Sequence, residues 1–144
     1  MHTIGFIGIG IMGKPMIENL LKSGYEVNAY ARRQASIDAL EIAPKQVFNS
    51  PQELATASQI IISCVADTAD VEQVLIGNEG VIQGIQPGSL VIDMSTISPQ
   101  ATRCMAQQFQ SAQASLLDAP VSVSYTHLRA HETGRTLVCR LLLE

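Results

Sequence analysis

The segment Gly8-Ile9-Gly10-Ile11-Met12-Gly13 stands between a short apolar run, Ile4-Gly5-Phe6-Ile7, and the helically spaced Met16, Leu20 and Leu21. Three glycines at that spacing suit phosphate chemistry. The first permits a tight strand-to-helix turn, the second lets backbone approach a pyrophosphate, and the third lets helix and strand pack closely. N–H groups at the helix start have no partner inside the helix and can face an anion. Lys14-Pro15-Met16 is compatible with that start, since proline there removes an N–H that has no intrahelical acceptor. A glycine-rich turn can be only a turn, but a strand before it and a helix after it imply a dinucleotide site.

The next informative residues are Ala31-Arg32-Arg33, at the end of what reads as a second strand. A carboxylate at that point would hold a ribose 2′-hydroxyl, whereas arginine suits a 2′-phosphate. Ala31 offers no carboxylate and Arg32 and Arg33 offer guanidinium groups, so NADP is the expected cofactor, with NAD the alternative. The other residues able to do chemistry read as structure. Cys64, between Ser63 and Val65 at the end of a buried run, is expected in the core and not as a nucleophile. Ser98, followed by Pro99, reads as a helix cap. Asp93 and Asp118 precede strand exits and are expected to bond loop backbone, and His2 is terminal and uninformative.

These residues need a frame that brings strand ends together. Apolar runs alternate with helical patterns, which implies a parallel sheet with crossover helices. Strands are expected at residues 3–9, 26–30, 59–65, 89–94 and 115–117. The run at 59–65 is almost continuously apolar, as a strand buried on both faces should be. Helices are expected over 12–22, closed by Gly24, and around 37–40. Ser50-Pro51-Gln52-Glu53 forms a capping box with proline at the first helical position. Asp67 or Thr68 caps a helix running through Leu75, and Ser98-Pro99 starts one that runs to about Ser111. No internal repeat stands out beyond the alternation itself.

A chain of 144 residues, 47% hydrophobic and 15% charged, is sized for one domain with a substantial core. Its net charge of −4 argues against a nucleic-acid surface. No apolar run reaches the roughly 18 residues needed to cross a bilayer, and glycines break the first apolar stretch too early for a signal peptide. Cys64, Cys104 and Cys139 have no paired or metal-like spacing, so a reducing compartment, the cytoplasm by default, is expected.

Four strand exits then carry a resemblance: Gly8 through Met16, Cys64-Val65-Ala66-Asp67, Asp93-Met94-Ser95-Thr96-Ile97-Ser98-Pro99, and Asp118-Ala119-Pro120-Val121-Ser122. Together they resemble the β-hydroxyacid dehydrogenases, the group that contains 3-hydroxyisobutyrate dehydrogenase and tartronate semialdehyde reductase and is related to 6-phosphogluconate dehydrogenase. The resemblance covers residues 3–122 and implies a Rossmann-type α/β domain, a parallel sheet with helices on both faces. It implies NAD(P)-dependent interconversion of a 3-hydroxy acid and its semialdehyde. Carried over residue by residue, it puts the pyrophosphate at Gly8, Gly10, Ile11, Met12 and Gly13, and adenosine and ribose beside Val65 and Ala66. The resemblance also implies that the Ser95-Thr96 pair, Thr96 above all, stands near nicotinamide and substrate, and that Ser122 takes the place of a substrate-binding serine. The chain departs from the family at Ala31, where Asn-Arg or Asp-Arg is common.

The family would continue with two glycines, then a proton-transferring lysine on a long helix that opens an all-α domain through which the parent would form homo-oligomers. Here Val123-Ser124 follow, and that lysine and domain are expected to be missing, with no catalytic residue in the chain. Residues 123–144 instead resemble, when reverse-translated, a short-read sequencing adapter, and are set aside as non-native. His127 and His131 in that tail are not taken as a metal pair, and no metal is expected. Two alternatives remain: a dinucleotide-binding module without turnover, which would bind cofactor but not react, and a methyltransferase-type Rossmann domain. Ala31-Arg32-Arg33 disfavours the second, which would use an acidic residue there.

Overall fold

The computed structural model describes residues 2–121, and within them six parallel strands form one sheet in the order β3-β2-β1-β4-β5-β6. The strands are β1 (Ile4–Ile7), β2 (Val27–Tyr30), β3 (Gln46–Val47), β4 (Ile60–Ser63), β5 (Leu90–Asp93) and β6 (Ser115–Asp118). The helices are α1 (Gly13–Lys22), α2 (Gln34–Asp38), α3 (Pro51–Thr56), α4 (Thr68–Ile76), α5 (Val81–Gly84) and α6 (Pro99–Ser111). Both faces of the sheet are covered, as the pattern of nearly continuous apolar strands requires. One layer buries Ile4, Phe6, Val27 and Ala29 under Ile17 of α1, with Ile37 of α2 alongside. The other buries Ile7, Ile61, Val91 and Leu116 under Leu54, Val71, Leu75, Val81, Met105 and Phe109 from α3 to α6.

Helix starts follow local chemistry. Ser50 Oγ accepts from Glu53 N–H at 3.2 Å, and Asp67 Oδ1 accepts from Asp70 N–H at 2.9 Å. Ser98 accepts from Ala101 N–H, with Pro99 in the first turn. The box at Ser50 differs from expectation in one respect: Glu53 Oε2 accepts from the Asn49 N–H, at 3.2 Å, and not from that of Ser50.

Strand lengths and one helix depart from the sequence reading. The run at 3–9 is a strand only from Ile4 to Ile7, because Gly8 takes φ +93 and turns the chain. The helix expected at 37–40 lies at Gln34–Asp38, where Gln34 Nε2 donates to Asp38 Oδ1 one turn on at 3.1 Å. Two elements carry no periodic signal. β3 is two residues long and exists because Gln46 and Val47 pair with Asn28 and Ala29. α5 is a single turn held against α3, whose Gln52 N–H donates to Glu79 O at 2.9 Å just before it.

Gly84 closes that turn against the Gln52 carbonyl and the Thr56 hydroxyl, which a Cβ would overlap. Since Gln52 O is backbone, the helices must separate to admit a methyl. Gly84→Ala is therefore expected to lower unfolding free energy by about 1–3 kcal/mol in denaturant melts, and an unchanged midpoint would contradict this packing.

Candidate dinucleotide-binding cleft

The sheet order reverses beside β1. Strand β2 lies on one side and β4 on the other, and the helices that follow β1 and β4 leave for opposite faces. At such a switch point a crevice opens outside the carboxyl ends of the strands. A cleft of about 540 Å³ lies there, lined by Gly8 to Gly13, Ala31 to Arg33, Val65, Ala66, Ser95 and Thr96, among others. The structure thus brings together every sequence-predicted site residue except Ser122, which lies outside the described residues.

The three glycines have three distinct surroundings. A Cβ on Gly8, whose φ is +93, would overlap the Cys64 carbonyl, and one on Gly13 would overlap the Gly8 carbonyl. These positions let β1, the turn and α1 approach one another. Gly10 differs: nothing lies within 4 Å of where its Cβ would stand. Its side points into open space at the cleft, where a bound group can touch backbone. The anion end is also prepared electrostatically, because α1 has neither a side-chain cap at Met12 nor an acid in its first turn, leaving the positive end of its dipole unanswered. Ile11 is 95% exposed and Met12 is half exposed, so they meet the cleft as an apolar tip and not as core.

At the β2 exit, Arg32 is not a free cation. Its Nη2 stands 2.7 Å from Asp70 Oδ1 and 3.2 Å from Gln73 Oε1, so it ties the β2 exit to α4. Arg33 is exposed and precedes α2, its carbonyl accepts from Ser36 N–H at 3.0 Å, and its guanidinium has no hydrogen bond or ion pair among the described residues. The two equivalent arginines expected from sequence therefore divide into a bridge and an unengaged charge. Ser36 and Asp70 also line this end, and sequence reading missed both. Ser36 could have been found from its place three residues after Arg33, in the first turn of α2. Asp70 bore only the signal of an acid in a first helical turn.

Across the cleft, Ser95 and Thr96 differ in exposure. Ser95 is buried, its N–H donating to Asp93 Oδ1 at 3.1 Å and its Oγ accepting from Val65 N–H at 2.9 Å. Thr96 is exposed at the cleft. Asp93 bonds loop backbone as expected, whereas Asp118 departs from that expectation: its Oδ1 is buried without a partner among the described residues. Asp118 pairs in register with Asp93, a neighbour whose carboxyl cannot donate a hydrogen bond when ionised. Cys64 is half-buried, and burial, then the charge of Asp93, pushes its thiol pKa up, so it is not activated as a nucleophile.

A six-stranded parallel sheet with a glycine turn at its switch point defines a Rossmann domain of the dinucleotide-binding class. A family model described as the NAD binding domain of 6-phosphogluconate dehydrogenase matches residues 3–133, and the chain belongs to that family. It is 36% identical over 119 residues to "Probable 3-hydroxyisobutyrate dehydrogenase-like 3, mitochondrial" of Arabidopsis thaliana, covering 83% of this chain and 37% of the relative. It is 40% identical over 119 residues to the 2-(hydroxymethyl)glutarate dehydrogenase of Eubacterium barkeri, covering 83% of this chain and 40% of the relative. Among solved structures it is similar to 3-hydroxyisobutyrate dehydrogenase of Mycobacterium tuberculosis with L-serine, at 29% identity and TM-score 0.76, covering 90% of this chain and 44% of that one. The chain thus spans about two fifths of the length of these curated relatives. Its relatives include hydroxyacid dehydrogenases and also the "Cytokine-like nuclear factor N-PAC" of Xenopus tropicalis, and no described helix is long and apolar enough to cross a membrane.

Proposed function

We propose that this chain binds NADP(H) in preference to NAD(H), as the cofactor half of an enzyme interconverting a 3-hydroxy acid and its semialdehyde. The observation that carries the reading is the open space at Gly10, flanked by two glycines whose own Cβ positions are filled by backbone. In this reading the turn from Gly8 through Gly10, Ile11 and Met12 to Gly13 receives the pyrophosphate on backbone N–H groups and the α1 N-terminus. Val65 and Ala66 flank adenosine and ribose, and Thr96 offers its hydroxyl near nicotinamide and substrate. Ser122 is the proposed substrate-binding serine. When bound, the dinucleotide supplies hydride-transfer chemistry, and the chain contributes orientation and charge placement.

Preference for the 2′-phosphate rests on three features. Ala31 offers no side-chain partner to a ribose hydroxyl, Asp70 already pairs with Arg32, and the Arg33 guanidinium is unengaged among the described residues. A planar guanidinium then meets phosphate in a charge-assisted contact. A small-molecule hydroxy acid as substrate of the whole protein is supported by the names of its relatives. A second reading, a binding module without turnover, is favoured by the lining: among the described residues the cleft carries no lysine or histidine to take a hydroxyl proton. In the whole protein, saturable cofactor binding without oxidation of 3-hydroxyisobutyrate would select it. The reading of residues 123–144 as adapter-derived is likewise a proposal, tested by resequencing the source DNA.

Two substitutions test the cofactor reading. Gly10→Val adds bulk where no protein atom stands, so the thermal midpoint should hold while NADPH affinity in titration calorimetry drops at least about tenfold. Equal affinity would move the site elsewhere. Arg33→Ala should weaken NADP(H) by about tenfold, as expected for one charge-assisted contact, and leave NAD(H) nearly unchanged. Loss of both cofactors alike would contradict a 2′-phosphate role.

A further inference from the structure

One row of the sheet runs polar where its neighbours are apolar. Ser63 on β4, Asp93 on β5 and Asp118 on β6 stand in register, on the face that two residues earlier buries Ile61, Val91 and Leu116. Ser63 Oγ donates to Asp93 Oδ1 at 3.0 Å, and the Ser95 N–H donates to the same oxygen. That leaves two buried carboxyl oxygens without partners among the described residues, Asp93 Oδ2 and Asp118 Oδ1, on neighbouring residues of adjacent parallel strands. A buried, unpaired carboxylate oxygen costs free energy, and two side by side add repulsion. One proton placed between them removes both penalties.

We propose that Asp93 and Asp118 are a positioning pair: they share one proton across the β5 and β6 exits and thereby hold the Ser95–Thr96 segment against Val65 at the cleft. The linkage is short. Asp93 Oδ1 receives the Ser95 N–H, Ser95 Oγ receives the Val65 N–H at 2.9 Å, and the Ala119 N–H donates to Asp93 O at 2.8 Å. A hydroxyl on Asp118 donating to Asp93 Oδ2 leaves Asp93 Oδ1 ionic and free for its two donors. Without that proton, two carboxylates face each other beneath the loop that carries Thr96.

The titrating groups support the geometry. Burial first, and the charge of Asp93 second, push Asp118 up to about 6, and burial also raises Asp93. The charge of Asp93 acts on the Asp118 carboxyl and on the Cys64 thiol, raising both. Arg103 on α6 is exposed, and the described ion pairs lie elsewhere: Lys22 with Glu41, Arg32 with Asp70, and Lys45 with Glu26. The sign follows from linkage. The folded state keeps a proton that the unfolded chain has released, so the stabilisation is full below the ordinary 3.8 and is lost as pH rises through about 6. The two protons leave in steps that belong to the pair.

The stability arm of the test stands alone, and the cofactor arm rests on the cleft reading above. Thermal midpoints and NADPH affinities would be measured from about pH 5 to pH 7.5 on the parent chain, Asp118→Asn and Asp118→Ala, with carboxyl-carbon NMR titration of Asp118 in the parent. The parent's midpoint and NADPH affinity should fall across that window, the latter by about threefold or more. Asp118→Asn keeps a neutral donor to Asp93 Oδ2, so its profile should be flat and its midpoint at the alkaline end no lower than the parent's. Asp118→Ala should be destabilised at the acid end, and if it does not fold, Asp118→Asn alone decides. An Asp118 carboxyl titrating in the ordinary aspartate range, or parallel profiles for the parent and Asp118→Asn, would overturn the pair. If no variant binds NADPH, the parent included, the cleft reading fails while the midpoints and the NMR titration still decide this proposal.

Discussion

Backbone meets backbone at the end of β1. Gly13 sits against the Gly8 carbonyl and Gly8 against the Cys64 carbonyl, so closely that no side chain fits at either place. Because α1 starts on that contact, Ile17 reaches the layer of Phe6 and Val27, and the uncapped helix end comes to rest at the switch point. Because β4 leaves beside the same turn, Val65 and Ala66 border the cleft. A methyl group at Gly8 or Gly13 would therefore disturb the sheet, the helix and the cleft together, whereas one at Gly10 would disturb only what enters from outside. Three glycines of one type serve two physical purposes, and their surroundings tell them apart.

Around that turn, charge is divided into fixed and free. Arg32 is committed to Asp70 and Gln73, and the carboxylate of Asp70 is thereby occupied. Arg33 is left facing solvent at the same end. On the other side Ser95 is spent on internal bonds while its neighbour Thr96 reaches the cleft. In each case one member of an adjacent pair builds the wall and the other is presented. A chain of net charge −4 thus keeps a local positive site, made from one arginine and one helix end.

Much of this was legible in the sequence because it depends on local rules. The glycine spacing announced the turn, Ser50, Asp67 and Ser98 announced helix starts, and the β-branched run at Ile60–Ser63 announced a strand buried on both faces. What escaped is tertiary in origin. β3 is two residues recruited by pairing with β2, and α5 is one turn shaped by α3, so neither is long enough to show a period. The split between Arg32 and Arg33 escaped because Asp70 lies far along the chain and reaches Arg32 only through the crossover. Asp118 escaped for the same reason: that its Oδ1 lacks a partner among the described residues depends on its register with Asp93, on a neighbouring strand.

The most direct test of the cleft as the dinucleotide site is amide chemical-shift mapping of the isotope-labelled chain during titration with NADPH. The largest saturable shifts should fall on Gly8 to Gly13, Arg33, Val65, Ala66 and Thr96, while a separate groove between β3 and α3, lined by Gln46, Phe48, Glu53 and Ala57 among others, stays unmoved. Saturable shifts concentrated at Gln46 to Ala57, or none at the glycine turn at saturating cofactor, would contradict it.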